Sequence, residues 1–266
     1  EAPTGAIDID RAGRRFYTRL MTDPEIRHVL DFWFQPGTMD QPTIDSRMDR
    51  WFTADAVTDA VIRTEFGPLV DRASKGELES WTGTPEGRLA LILMLDQFQR
   101  SIYRGTSKAF SRDPHALKLC VEGAMSGDYK TLTPFQQAFY FMPLQHAESL
   151  KIQARSVKIY EGLVSGVSDT LKATFLTFAQ FAELHHDIVE SFGRFPHRNK
   201  ALGRPNTPEE AEYLGAGALP SANRTSCLLE ELPCTTTHPA GSPSSAADAF
   251  PSAAPTRATC ISPIRT

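Results

Sequence analysis

The chain is poor in most of the features that identify a protein at sight. Of its four cysteines, only Cys120 lies in a stretch with regular apolar patterning, and no C-x-x-C pair is present. That argues against a zinc ribbon. A lone patterned cysteine has no disulfide partner in its own domain, so it reads as an inert buried thiol or as the mark of a reducing compartment. The most apolar run, Leu89–Leu95, is far too short to cross a bilayer. Charge of one sign is not in excess: a net charge of −4 leaves no broad basic footprint for nucleic acid. No Asn-Gly or Asp-Gly turn separates alternating runs, so strand signals are weak. A Gly-x-Ser-x-Gly elbow, a P-loop and a dinucleotide fingerprint are all missing.

What is present is ordinary for a globular chain: 266 residues, 41% of them hydrophobic and 23% charged. That length suits one large domain or two small ones, and it buries a core without covalent staples. The punctuation is helical. Asp23-Pro24, Thr84-Pro85, Asp113-Pro114, Thr133-Pro134 and Thr207-Pro208 each pair a capping side chain with a proline at the first helical position. Thr207 and Glu210 have capping-box spacing. These signals predict helices near 23–34, 41–52, 54–65, 68–75, 85–103, 114–126, 134–141, 144–165, 169–192 and 208–214. Gly76, Gly127 and Gly193 stand where left-handed helix ends are expected. Helix 85–103 is apolar all round in its middle and should be central. Helix 169–192 carries a seam of Leu171, Phe175, Phe178, Ala182, His185, Val189 and Phe192.

The domain division follows composition. Residues 1–21 hold Arg11, Arg14, Arg15 and Arg19 without an apolar core, so they are not an intact secretory signal. Glu1, Asp8 and Asp10 also weaken an organelle-targeting reading. The expectation is a disordered extension over 1–21, a helical domain over 22–215 and a disordered tail over 216–266 rich in Ala, Ser, Thr and Pro. Within the tail, Cys227–Leu232 is at most a short turn of helix. A cytoplasmic location is expected, or an organelle if residues 1–20 are the remnant of a targeting segment.

Four polar clusters interrupt the helical pattern. Asp96 falls in the apolar helix, and Arg100 is one turn on, so the two can pair. They either lock the helix packing or line a cleft, with Gln97, Tyr103 and Arg104 nearby. Pro143 is expected to break the preceding helix, placing His146 and Glu148 at the restart with Arg155 one face further along. His-x-Glu is a hydrogen-bonded pair or part of an acid/base set. His185 and His186, with Glu183 and Glu190 around them, invite a metal reading, but they lack the i, i+4 histidine spacing of a zinc helix. In the stretch GRFPHRNKALGR, Arg194, His197, Arg198 and Arg204 radiate from a loop fixed by Gly193 and Pro196. Guanidinium forks suit carboxylate or phosphate, yet the same arginines can cap helices and pair with Asp96, Glu148 or Asp187.

Several blocks in order resemble a mainly bacterial family, domain of unknown function 924: LDFWF (30–34), LALILMLDQFQRSIYRGTSKAFSRDPHAL (89–117), MPLQHAE (142–148), QARSV (153–157) and FGRFPHRNKALGR (192–204). The resemblance covers about residues 26–214. It implies an all-α, tetratricopeptide-like array of antiparallel helix pairs with about nine to ten helices, and no established activity. The family more usually has Pro where Gln99 stands and Asn where Ser101 stands.

Three functions are consistent with these residues. The leading one is a polar, net basic cleft that binds a small anion, a carboxylate or a phosphate. Arg100, Arg155, Arg194 and Arg198 would hold the anion, with Asp96, Tyr103, His146, His197 and Asn199 around it and Trp33 as an aromatic wall. The second is a hydrolase with His146 or His197 as base and Glu148 or Asp96 orienting it, metal-assisted if His185 or His186 holds an ion. The third is a peptide-binding scaffold, which rests on fold analogy alone. No cofactor is named by any motif, no nucleic-acid or membrane partner is expected, and the oligomeric state is left open.

Overall fold

Short polar side chains set where the helices begin. In the computed structural model, Asp23 accepts the Glu25 N–H at 2.9 Å ahead of α1 (Pro24–Phe34). α2 (Gln41–Phe52) follows. Asp55 takes the Val57 and Thr58 N–H groups at the start of α3 (Ala56–Ser74). Thr84 accepts from Gly87 and opens α4 (Pro85–Ile92), which continues through a π-helical segment, Leu93–Phe98, into α5 (Gln99–Ile102). Then come α6 (Asp113–Ser126), α7 (Pro134–Gln145), α8 (Leu150–Gly166), α9 (Asp169–Phe192), α10 (Asn199–Leu202) and α11 (Pro208–Gly215). Thr207 and Glu210 close the expected capping box on α11, each accepting the other's backbone N–H.

The structure describes residues 23–37, 41–53 and 55–217, and the antiparallel strand pair Asp8–Ile9 with Arg15–Phe16. The chain divides into two units, Glu1–Glu231 and Leu232–Thr266. The extension expected over 1–21, apart from that strand pair, and the tail expected over 216–266, beyond Gly217, lie outside the described residues.

The all-α expectation holds for the domain, and helix 85–103 is central as predicted. Leu89 through Leu95 and Phe98 are all essentially inaccessible. Around them α3 packs on the π segment, α1 and α6 on α4, and α7 on both α4 and the π segment. Beyond this hub, α7, α8 and α9 pack in chain order, with α8 against α9 the most extensive pairing. The seam of α9 is buried at Phe175, Phe178, Ala182 and Val189, leaving His185 half-buried. Cys120 is a fully buried free thiol, and burial pushes its pKa up, so it is inert.

Two prolines act differently from expectation. α3 runs straight through Pro68, joining the two helices predicted at 54–65 and 68–75. α7 runs through Pro143 to Gln145 instead of breaking there. In both cases buried residues on either side, Phe66, Leu69 and Val70 in one and Phe139 to Leu144 in the other, hold the turn against its lost hydrogen bond. Among the described residues no helix is long and apolar enough to cross a membrane.

Candidate functional site

The site begins with the π segment. A π turn widens the helix by one residue and frees backbone groups from the regular ladder. Here the Asp96 carbonyl accepts from the Arg100 guanidinium at 2.7 Å. The Asp96 carboxylate is wholly buried, and Oδ1 meets His146 Nδ1 at 2.7 Å, while Oδ2 accepts from Gln97 Nε2 at 2.5 Å. Arg100 approaches the same carboxylate at 3.3 Å. Burial alone would raise the Asp96 pKa, but the charge of Arg100 and the hydrogen bonds from His146 and Gln97 outweigh it and hold the group ionised, well below the usual carboxylate range.

Asp113 is the second anchor. As the first residue of α6 it was expected to cap that helix. Instead Arg112 takes the cap position, and Asp113 receives a two-pronged bond from Arg100, both at 3.0 Å, and another from Arg198 at 3.1 Å. Arg198 is buried between the rings of Phe110 and Phe195, with its guanidinium carbon 4.7 and 4.5 Å from their centres. Its Nε is buried with no partner among the described residues. Burial and the neighbouring Arg100 lower its pKa to about 10, so it stays charged at neutral pH.

These groups open on a cavity of about 270 Å³. Arg100, Arg198, His146, His185 and His197 line its polar side, and Trp51, Phe52, Phe110, Phe178 and Phe181 supply much of the apolar side. All three histidines are held neutral. Burial pushes His146 below its ordinary value, with Arg100 adding to the effect and Asp96 opposing it. Burial lowers His185 to about 3, aided by His146, and lowers His197 to about 3, aided by Arg198 and Arg100. His185 Nδ1 donates to the Phe181 carbonyl at 2.7 Å, whereas His197 Nδ1 is buried without a partner among the described residues.

The remaining expected site residues are engaged elsewhere or lie outside this cavity. Arg194 makes a two-pronged bond to Glu210 and reaches the Pro205 carbonyl. Asn199 donates to Asn206 and Glu210 and accepts from Arg204. Glu148 does not orient His146: it accepts the Phe195 N–H and both prongs of Arg204. Arg155 is exposed on α8 and lines none of this cavity. Tyr103 reaches Asp71 at 3.3 Å, away from the lining. Trp33 packs on Phe98 and Phe139 and faces a smaller adjoining space of about 60 Å³. Trp51 is the tryptophan in the main wall.

The metal expectation divides in the same way. His185 belongs to the cavity wall. His186, Asp187 and Glu190 bring ligand atoms within 4.8 Å of one another on the outer side of α9, and His186 already contacts Asp187 at 3.3 Å. Among the described residues this is the one such group of three, so the cavity histidines do not form one.

The molecule is thus an all-α domain with a buried Asp–His–Arg network at the wall of an aromatic cavity. A family described as bacterial proteins of unknown function, DUF924, matches residues 29–218, and the chain belongs to that family. A solved structure of a protein of unknown function from Agrobacterium tumefaciens is similar, with 33% identity and a TM-score of 0.61. The similarity covers 73% of this chain and 98% of that one. No curated protein matches.

Proposed function

We propose that the cavity binds a small molecule with one carboxylate on a flat apolar body. The observation that carries this reading is Arg198, a buried charged guanidinium in the cavity wall whose Nε lacks a partner among the described residues. Arg50 and Arg88 also carry a buried Nε without such a partner, so what distinguishes Arg198 is its place in the cavity wall, where a guanidinium suits a carboxylate. The aromatic wall suits a flat body.

The charge balance disfavours a dianion. Arg100 and Arg198 share Asp113, Arg100 also meets Asp96, and Arg104 is paired with Asp59. The wall is therefore close to neutral rather than net basic, and a doubly charged phosphate would be poorly compensated in it. Arg155 and Arg194, one exposed and one committed to Glu210, have no part in this reading.

Thermal shift and calorimetry with benzoate, 4-hydroxybenzoate and inorganic phosphate test it. Benzoate or its hydroxyl derivative should raise the Tm, by about 2.7 kcal/mol in stability at a hundred times Kd. Arg198→Lys, which keeps the charge and loses the planar fork, should bind at least tenfold more weakly with an unchanged circular dichroism spectrum. A response to phosphate alone, or an unaltered response in Arg198→Lys, would overturn the reading.

A further inference from the structure

Three features of the cavity point past binding. The Asp96–His146 contact fixes the imidazole tautomer: an ionised carboxylate oxygen 2.7 Å from Nδ1 accepts its proton, which leaves Nε2 as a proton acceptor. His146 lines the cavity with its side chain still 16% exposed. Among the described residues the lining holds no Ser, Thr, Cys, Lys or Tyr, so none of them offers a side-chain nucleophile of those types.

We infer that the cavity is a hydrolytic site in which His146, positioned by Asp96, deprotonates a water that attacks an ester or amide carbonyl of a carboxylate-bearing substrate. This rests on the carboxylate site at Arg198 proposed above. The water proton passes to His146 Nε2 as the new C–O bond forms. The imidazolium then returns that proton to the departing alkoxide or amine as the original C–O or C–N bond breaks. The products are a carboxylic acid, which ionises, and an alcohol or amine, so no oxidant or co-reactant is needed. The guanidiniums in the same wall oppose the negative charge that builds on the carbonyl oxygen. The ring of His185 stands edge-on to His146 with centres 6.2 Å apart, and its Nδ1 is engaged with Phe181, so its Nε2 is left able to accept a hydrogen bond from the water's other O–H, whose proton stays with the product acid.

The charged groups that act on His146 are Asp96 and Arg100 from the central helix and Asp113 from α6; His185 from α9, and His197 and Arg198 from the segment after it, line the same cavity. Asp96 and Asp113 support the imidazolium, and Arg100 opposes it. The base is free at neutral pH, and the rate should fall on the acid side, below the ordinary histidine value of 6.5.

Two substrates read out the step: 4-acetoxybenzoate and its anilide counterpart, 4-acetamidobenzoate, with phenyl acetate as the comparator lacking a carboxylate. Release of 4-hydroxybenzoate or 4-aminobenzoate should follow saturation kinetics, and phenyl acetate should give a much lower kcat/KM. His146→Asn should lower kcat about 10²- to 10⁴-fold, while calorimetric binding of 4-hydroxybenzoate is kept. Asp96→Asn should move the acid limb of the pH profile lower, since the carboxylate raises the His146 pKa; a purely structural role would leave that limb in place. Binding of 4-hydroxybenzoate without His146-dependent turnover of either substrate would overturn the hydrolytic inference and leave the carboxylate site standing. Absence of both binding and turnover would overturn the two together.

Discussion

Single positions show how far this domain depends on close approach. At Gly87 an added Cβ would lie 2.2 Å from the Trp81 carbonyl oxygen, a backbone atom fixed by the turn that leads into α4. Gly162, in the exposed middle of α8, has nothing within 4 Å of the same added atom. The two alanine substitutions should therefore act in opposite directions. Gly87→Ala should cost about 3 kcal/mol through overpacking, and Gly162→Ala should gain up to about 1 kcal/mol from helix propensity. Urea denaturation of the two variants beside the parent measures both. Asp113 makes the complementary point about polar residues. Its sequence position at an Asp-Pro pair marks a helix start, and the start is there. Its carboxylate, however, is drawn away to two guanidiniums that come from 13 residues earlier and 85 residues later in the chain.

At the scale of elements, the segment after α9 is tied down by ion pairs. Gly193 ends α9 in the left-handed region at φ 69°, as expected. The chain is then fastened by Arg204 to Glu148 and by Arg194 to Glu210. Bonds from Arg194, from the Thr207 N–H and from Asn199 lower the Glu210 pKa from 4.5 to about 2, against the opposing effect of burial. A carboxylate with a depressed folded pKa contributes stability that is complete above its unfolded value and lost as pH falls through the folded one. Stability from this clamp should thus be full above about pH 5 and disappear towards about pH 2. Glu210→Gln should flatten that part of the stability profile and speed amide exchange near Phe195 at neutral pH. Equal acid slopes for Glu210→Gln and the parent would refute it. The π segment is the other element that matters, because it carries Asp96, a fully buried carboxylate of the site.

For the whole molecule, the hub of α4 and the π segment decides what surrounds the cavity. α2, the central helix, α7, α9 and the segment after it each contribute a wall, so the cavity exists only when all are packed. The composition of residues 218–266 gives them little apolar area with which to join that packing. A chain ending at Gly217 should therefore keep the Tm and the benzoate response of the full chain. A drop in either would assign the tail a part in the domain.

Local chemistry determined most of the helices, their caps and the central place of the Leu89–Leu95 stretch, because apolar periodicity and capping residues act over a few neighbours. It also marked Asp96, Arg100, His146, His185, His197 and Arg198 as polar residues out of keeping with their surroundings. It did not reveal that Pro68 and Pro143 sit within helices, or that the central helix widens into a π turn, since burial from distant segments stabilises both against local preference. Only the tertiary structure sorted the arginines. Arg194 and Arg204 close on Glu210 and Glu148, whereas Arg198, paired with Asp113, lies in the cavity wall. The guanidinium is the same in each case, and what differs is which carboxylate the folded chain brings within reach.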